Sequence, residues 1–286
     1  MGYTGFYINL DRSTVRRAEI EAELSRYGLS GHYQRFVAAE GNPQSFPNPA
    51  KLKEGEMGCF RSHYLLLKAN VNSSKPLHVV EDDAVFSQFT GDALRAVIAE
   101  GNLNHYDIVY TDLFIPTSNV LYRELKKAYD KNIVRDATGR VTQAYFSVMD
   151  MKGQKFASTA SFLVNPQAIG KLHHLYEAEL VKGPTLPIDL YICQKAAEGV
   201  LKVGCVFPYV TSIKVALESD TTIRGSNPQL SEFAANLVRR SFFIEADLQD
   251  CLEQARKFLP LPPEDQQLQL LTHILGFSVT DKYIRF

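Results

Sequence analysis

The sequence predicts an α/β fold with a mostly parallel central sheet flanked by helices. Short apolar segments typical of buried strands alternate with helical segments over most of the chain. The chain has 286 residues, of which 45% are hydrophobic, and this is enough to bury a sizeable core. After residue 227 the pattern is helical to the end. We therefore expect an α/β domain at residues 1–226 and a helical C-terminal region, residues 227–286, packed on it.

The first half of the chain alternates clearly between the two types of element. A helix is expected to begin after Asp11 or Ser13, which can cap it, and to end at Gly28. A second helix is expected at about residues 54–70, where apolar residues recur at core spacing. Apolar runs predict strands near residues 6–10, 34–39, 77–80 and 107–110.

The second half begins with a less regular segment. From residue 116 to residue 155 the periodicity is weak, so we expect a long binding loop or lid there. One helix is predicted to begin at Pro166, a position that suits proline, and another to run from Pro187 to about residue 198. Further strands are predicted at residues 160–164, 201–207 and 209–216.

Composition and charge narrow the classes of function. The net charge of -1 gives no basic field, so we expect no nucleic-acid partner. No apolar run approaches the ~20 residues that span a bilayer, and the N-terminus lacks the pattern of a signal peptide, so we expect a cytoplasmic protein. The cysteines form no CxxC pair and lie among apolar residues, which predicts reduced core residues rather than a disulfide framework or a metal site. They are Cys59, Cys193, Cys205 and Cys251.

The most informative segment is an apolar strand that stops on three consecutive carboxylates. These are Glu81, Asp82 and Asp83, directly after residues 77–80. In parallel sheets ligands bind beyond the carboxyl ends of strands, and three acids there repel one another. A divalent cation bound to substrate phosphates is the simplest stabilising partner, which suggests an enzyme acting on a nucleotide diphosphate. The alternative is a solvated acidic turn.

Several further motifs occur in a fixed order around this triplet. They are Tyr7-Ile8-Asn9-Leu10-Asp11-Arg12 with Arg16 and Arg17, then Arg35-Phe36-Val37-Ala38-Ala39-Glu40-Gly41, Gly55-Glu56-Met57-Gly58-Cys59-Phe60-Arg61-Ser62-His63, Pro187-Ile188-Asp189 and Ser219-Asp220. Over residues 3 to about 225, this ordered set resembles the bacterial glycosyltransferases of family 25, which transfer sugars to the lipopolysaccharide core.

The resemblance implies a GT-A fold, a UDP-sugar donor and inverting transfer to a lipooligosaccharide acceptor. The expected sugar is a hexose, galactose, which would make the protein a β-galactosyltransferase. The expected cofactor is Mn²⁺ or Mg²⁺. In similar enzymes the last acid of such a triplet binds the metal and the first faces the nucleoside. Asp83, with Asp82 beside it, is therefore the predicted metal site, and Glu81 is predicted to lie nearer the nucleoside.

The resemblance also implies a set of donor-binding residues. Arg12 and Arg16 lie four residues apart at the predicted helix start and could bind phosphate oxygens. The alternative is a solvated basic face that pairs with Glu19, Glu21 and Glu23. Ser62 and His63 lie within an otherwise apolar helix, where a buried structural histidine is the alternative. The full predicted donor set is Asn9, Leu10, Arg12, Arg16, Glu56, Ser62, His63, Glu81, Asp82 and Ser219.

Inverting transfer also needs a carboxylate that takes the proton from the acceptor hydroxyl. Asp189 follows Pro187 at a predicted helix start and is the first candidate, with a simple helix N-cap as the alternative. Asp220, beside Ser219, is the second candidate. Asp220 could instead contact the metal, the diphosphate or the acceptor.

Two other classes of function remain open at this point. One is another metal-dependent UDP-sugar enzyme, such as a nucleotidyltransferase or a hydrolase, although the sequence has no glycine-rich phosphate loop. The other is a non-catalytic module that binds a sugar nucleotide or a glycan. Because the expected acceptor is lipid-linked, the protein could associate peripherally with the cytoplasmic face of the inner membrane. A basic and aromatic contact surface and a helical core stripe are the two alternatives for Leu237, Arg239, Arg240, Phe242 and Phe243.

Overall fold

The computed structural model describes residues 2–41, 52–116, 119–214 and 236–246. The helices are α1 (Thr14–Arg26), α2 (Glu54–Ala69), α3 (Thr90–Ala99), α4 (Asn119–Asn132), α5 (Ile169–Lys182) and α6 (Ile188–Ala197). The strands are β1 (Thr4–Asn9), β2 (Tyr33–Val37), β3 (Leu77–Glu81), β4 (Ala84–Phe86), β5 (Ile108–Phe114), β6 (Ile133–Arg135), β7 (Val141–Ala144), β8 (Ser147–Asp150), β9 (Ala157–Val164), β10 (Val203–Phe207) and β11 (Thr211–Ile213).

The central sheet has seven strands in the order β2-β1-β3-β9-β5-β10-β8. Strands β1, β2, β3, β5 and β10 run in one direction, whereas β8 and β9 run in the other. The predicted α/β class with a mostly parallel sheet is therefore confirmed. Strands β4 and β11 form one small antiparallel pair, and β6 and β7 form another.

Alternating side chains of the sheet feed two hydrophobic layers, one on each face. In β3, for example, Leu77 and Val79 pack into one layer and Val80 packs into the other. Helices α1 and α3 cover the face of Val80, while α2, α4, α5 and α6 cover the opposite face. Both faces of the sheet are thus buried, as is usual where parallel strands are joined by helices.

The prediction of an irregular loop at residues 116–155 is wrong. It contains α4 and strands β6, β7 and β8, and β8 pairs with β10 as an edge of the central sheet. Leu125 and Tyr129 of α4 are buried in the core. Leu121 lies four residues before Leu125, so a helical stripe is present in the sequence. The many charged residues between these positions made the stripe hard to see.

Most of the predicted C-terminal helical region lies outside the described residues, so its extent stays a prediction. Within residues 236–246 a helical turn at 236–240 packs on the domain. Leu237, Arg239, Phe242 and Phe243 are buried, so the core stripe, and not an exposed contact surface, describes these residues. Phe242 packs against the rings of Tyr122 and Phe207. No helix in the described ranges is long and apolar enough to cross a membrane.

One edge of the sheet collects the polar ends of several strands. Strands β1, β3 and β5 end at this edge, and β9, which lies antiparallel between β3 and β5, begins there. The pairing of β5 with β9 is irregular around Asp112. Such irregularities often occur next to functional sites, where they redirect a side chain.

Candidate active site

A cleft of about 380 Å³ opens at this edge, between the ends of β1 and β3 and the first turns of α1 and α2. It is the place that the rule for ligand sites in α/β sheets identifies. Eight of the predicted site residues line it, and these are Leu10, Arg12, Arg16, Ser62, His63, Glu81, Asp82 and Asp83. The sequence motifs, which are up to 73 positions apart in this set, therefore converge on one cavity.

Asp82 is buried and held from two sides. Asn9 Nδ2 donates a hydrogen bond to Asp82 Oδ2 at 2.7 Å, and the guanidinium of Arg16 pairs with Oδ1. Arg35, whose Nε donates to Asn9 Oδ1 at 3.0 Å, fixes the orientation of the Asn9 amide. Asn9 thus lies beneath the cleft and positions Asp82. Arg35 belongs to a sequence motif, but its role in orienting Asn9 could not be predicted from the motif alone.

The contacts of Asp83 differ from those of Asp82. Its Oδ1 is buried and has no hydrogen-bond partner in the described part of the chain, although the side chain as a whole is 30% exposed. Arg16 Nη2 lies 3.9 Å from Asp83 Oδ2. Burial, followed by the nearby charge of Glu81, raises the pKa of Asp83 to about 6. The Oδ1 atom is therefore free to accept a proton or to bind a ligand.

The neighbours of Glu81 stabilise its ionised form. Thr159 Oγ1 donates to Glu81 Oε1 at 2.5 Å, and His63 Nε2 lies 3.5 Å from the same oxygen. Burial alone would raise the pKa of Glu81, but His63, Thr159 and the charge of Arg16 outweigh it and lower the pKa to about 2. Glu81 is therefore ionised at neutral pH.

Arg12 and Arg16 both face the cleft, but they do not share a helix face. Helix α1 begins at Thr14, so Arg12 lies in the preceding turn, where its side chain is 53% exposed and pairs with Glu40. Arg16 pairs with the acidic triplet. The alternative, in which these two arginines pair with glutamates further along α1, does not hold for their described ion pairs.

Ser62 links two walls of the cleft. Its hydroxyl accepts a hydrogen bond from the Ala39 backbone N–H at 2.8 Å and donates one to the Gly58 carbonyl at 2.6 Å. The two walls approach closely here, since a Cβ on Gly58 would lie 2.8 Å from the Ala39 carbonyl oxygen. His63, one residue on, is buried with its ring stacked on Phe162.

Glu56 does not line the cleft. Its carboxylate accepts a hydrogen bond from the Lys53 backbone N–H at 2.9 Å at the start of α2. This is the helix-capping arrangement in which the third helical residue reaches back to the N-cap. Donor binding by Glu56 stays a prediction, and capping is the contact that the structure describes.

Asp189 lies at the start of α6 and connects to the cleft through β9. Its carboxylate accepts hydrogen bonds from the backbone N–H of Ser158 at 3.1 Å and of Leu190 at 2.8 Å. Ser158 adjoins Thr159, the partner of Glu81. Burial raises the pKa of Asp189, the two backbone hydrogen bonds oppose the rise, and the charge of Glu81 adds to it. The assignment of Asp189 as the base stays a prediction.

A second ion pair near the cleft escaped the sequence analysis. Arg239 binds both oxygens of Asp112, at 2.7 and 2.5 Å, and also donates to Ser158 Oγ at 2.8 Å. Ser158 has a φ of 109°, a strained value for a residue other than glycine. The sequence shows only that an acid occurs at the end of β5. The other predicted residues of this half, Ser219 and Asp220, lie outside the described residues.

Cys59 is a free cysteine packed against the core, as the sequence predicts, but it also faces the cleft. It is half-buried, and its Sγ lies 3.7 Å from Glu81 Oε1. Cys59, His63 and Glu81 form a group whose ligand atoms all lie within 4.8 Å of one another. The sequence could not show this, because the acidic partner comes from β3.

The comparison with protein families agrees with the motifs. Residues 3–192 match glycosyltransferase family 25, described as LPS biosynthesis proteins. Because this match covers well over half of the chain, the chain belongs to that family and is a glycosyltransferase of the lipopolysaccharide-biosynthesis class. No curated protein matches the sequence. Family membership and the mixed, mostly parallel sheet flanked by helices agree with the GT-A type.

Similarities to solved structures are remote. The galactosyltransferase LgtC, in complex with donor and acceptor sugar analogues, aligns with 92% of this chain and 99% of its own at 11% identity and a TM-score of 0.35. The apo form of mouse xyloside xylosyltransferase 1 aligns over 70% of each chain at 11% identity and a TM-score of 0.33. At these TM-scores neither similarity bears on the sugar or the acceptor of this chain.

Proposed function

We propose that the protein is an inverting glycosyltransferase that moves a hexose, galactose, from a UDP-sugar to a lipooligosaccharide core acceptor. The observation that carries this proposal is the acidic triplet at the end of β3, which lies inside the cleft of a chain that belongs to a glycosyltransferase family. A cytoplasmic location with loose attachment to the inner membrane is part of the same proposal, because the acceptor is lipid-linked.

The cleft residues fit a divalent cation, Mn²⁺ or Mg²⁺. Asp83 offers a buried oxygen without a hydrogen-bond partner among the described residues, as a ligand for a hard cation requires. Asp82 is the weaker of the two predicted ligands, since Asn9 and Arg16 already engage its oxygens. When bound, the cation offsets the charge that develops on the leaving diphosphate.

The side chains of the cleft supply the rest of donor binding. Arg12 is exposed at the rim, where its guanidinium can exchange Glu40 for a phosphate oxygen at little cost. Arg16 neutralises Asp82, which would otherwise repel a diphosphate, and lies 3.9 Å from Asp83 Oδ2. His63 and Thr159 hold Glu81 ionised on the wall of the cleft towards α2, and Glu81 is the proposed partner of the nucleoside hydroxyls of the donor.

Asp189 is the proposed base on the acceptor side. Its raised pKa improves its strength as a proton acceptor, because a base works best when its pKa is near the operating pH. The backbone N–H groups of Ser158 and Leu190 fix the direction of its carboxylate. Asp220 remains the second candidate for this role.

The test is a panel of UDP-, GDP- and CMP-sugars, with and without Mn²⁺, measured first by thermal shift and then by transfer to lipooligosaccharide. We expect stabilisation by UDP-galactose with Mn²⁺ and transfer with inversion at the anomeric carbon. Release of the sugar to water alone would favour a hydrolase. Formation of a new nucleoside diphosphate sugar would favour a nucleotidyltransferase, and binding without turnover would favour a glycan-binding module.

A further inference from the structure

The wall of the cleft formed by α2 carries a cluster of three potential metal ligands of mixed chemistry. Cys59 and His63 lie four residues apart on α2, so their side chains project from the same face of the helix. Glu81 faces them from the end of β3. Its Oε1 lies 3.7 Å from Cys59 Sγ and 3.5 Å from His63 Nε2.

These separations suit a small tetrahedral ion. Atoms bound to one Zn²⁺ at bond lengths of about 2.0–2.3 Å lie roughly 3.2–3.8 Å from one another. Two of the three separations fall in that range, and the third, between Cys59 Sγ and His63 Nε2, is at most 4.8 Å.

His63 is buried, and its ring orientation suits a metal ligand. His63 is only 2% exposed, and its Nε2 has no hydrogen-bond partner in the described part of the chain. Stacking on Phe162 fixes the ring plane, so that Nε2 is directed towards Glu81. A buried ring nitrogen without a partner is costly, and a bound metal ion would satisfy it.

The surroundings of the cluster supply support and access. Thr159 donates to Glu81 Oε1 at 2.5 Å and lies 3.8 Å from Cys59 Sγ, so its hydroxyl orients the carboxylate. All three ligand residues line the cleft, which gives an ion a path from solvent and leaves room for water as the fourth ligand. Sulfur and imidazole ligands select Zn²⁺ over Mg²⁺ or Mn²⁺.

We propose that Cys59, His63 and Glu81 bind Zn²⁺, or another thiophilic divalent ion, at a site separate from the cation site proposed at Asp83. On binding, a metal–sulfur bond forms and the proton of the Cys59 thiol passes to solvent. The bound ion would occupy the α2 wall of the cleft and engage Glu81. Zinc would therefore compete with ligands of the cleft, whatever reaction the cleft supports.

The experiment is a titration of the metal-free full-length protein with Co²⁺, which reports thiolate ligation by a charge-transfer absorption band. We expect the band to saturate at one equivalent and to disappear when Zn²⁺ is added. Cys59→Ser should abolish it, and His63→Gln should weaken Co²⁺ binding by roughly 100-fold or more, since a direct ligand is lost. Cys193→Ser and Asp83→Asn are the matched controls and should keep the band.

A band that survives Cys59→Ser, disappears in Cys193→Ser, or never saturates in the unaltered protein would overturn the site. Because a variant on α2 can fail to fold, a second measurement uses the unaltered chain. Zn²⁺ should slow alkylation of Cys59 at least tenfold, as followed by peptide mass spectrometry, and should leave alkylation of Cys193 unchanged. Equal rates for Cys59 with Zn²⁺ and with Mg²⁺ would also reject the proposal.

Discussion

Asp112 lies within β5, on one side of β9, and Asp83 follows the end of β3, on the other side of β9. The two carboxylates differ in how the chain compensates their charges. Asp112 is fully buried, and the guanidinium of Arg239 binds both of its oxygens. Asp83 has only a distant contact with Arg16 and keeps a buried oxygen without a partner among the described residues. Arg239 neutralises Asp112, whereas the buried oxygen of Asp83 is where we propose that a cation binds. Asp112 is therefore expected to matter for stability and Asp83 for ligand binding.

The largest expected effect is the loss of stability when the ion pair of Asp112 with Arg239 is broken. Replacing Arg239 with Met leaves the charge of Asp112 buried and unpaired, which typically costs about 3–5 kcal/mol in the free energy of unfolding. Urea denaturation followed by circular dichroism measures this loss. The double variant Asp112→Leu with Arg239→Met should recover most of it, because no charge is then left unpaired. A single variant as stable as the unaltered protein would contradict the comparison.

In the acidic triplet, Asp83→Asn should preserve the fold and strongly reduce sugar transfer. The amide cannot bind a hard cation as a carboxylate does, so transfer should fall roughly 100- to 1,000-fold, as for other losses of electrostatic stabilisation. Stability should be unchanged or higher, because like-charge repulsion with Glu81 is relieved. Mn²⁺-dependent binding of UDP, measured by calorimetry, should be lost in parallel. Full activity of the variant under chelation would remove the metal role of Asp83.

Asp189 differs from both, since two backbone N–H groups hold its carboxylate. If it is the base, Asp189→Asn should lower kcat by roughly 100-fold or more and leave the affinity for the UDP-sugar unchanged. The N-cap of α6 is Pro187, so Asp189 lies inside the first turn and is not the cap that the sequence offered as an alternative. If Asp189 only holds the backbone N–H groups of Ser158 and Leu190, the loss should fall on stability and not on kcat, because the amide oxygen of Asn can still accept one of these hydrogen bonds. Steady-state kinetics with both substrates separates these outcomes. Near-normal turnover would transfer the proposed role to Asp220.

The acidic triplet that contains Asp83 could be predicted from the sequence far better than the ion pair of Asp112 with Arg239. The triplet at residues 81–83 is contiguous, and its strand is a continuous apolar run, so local pattern was sufficient. The pairing of Asp112 with Arg239 joins residues 127 positions apart, and no local pattern encodes it. Cys59 looked like a core residue for the same reason, since Glu81 and Thr159 come from other strands. Helix α4 was missed because charged residues obscured a short apolar stripe.

The smallest expected effect concerns Glu56, which the family resemblance assigns to donor binding and the structure describes as a helix cap. Glutamine can also reach back to the N-cap backbone, so Glu56→Gln should leave stability nearly unchanged, whereas Glu56→Ala should cost about 1 kcal/mol in the free energy of unfolding. If Glu56 acts only as a cap, the KM for the UDP-sugar should be the same in Glu56→Gln and in the unaltered protein. If the carboxylate also contacts the donor, Glu56→Gln should raise that KM at unchanged stability. Denaturation curves and donor kinetics on these two variants therefore show whether Glu56 acts on stability, as we expect for Arg239, or on ligand binding, as we propose for Asp83.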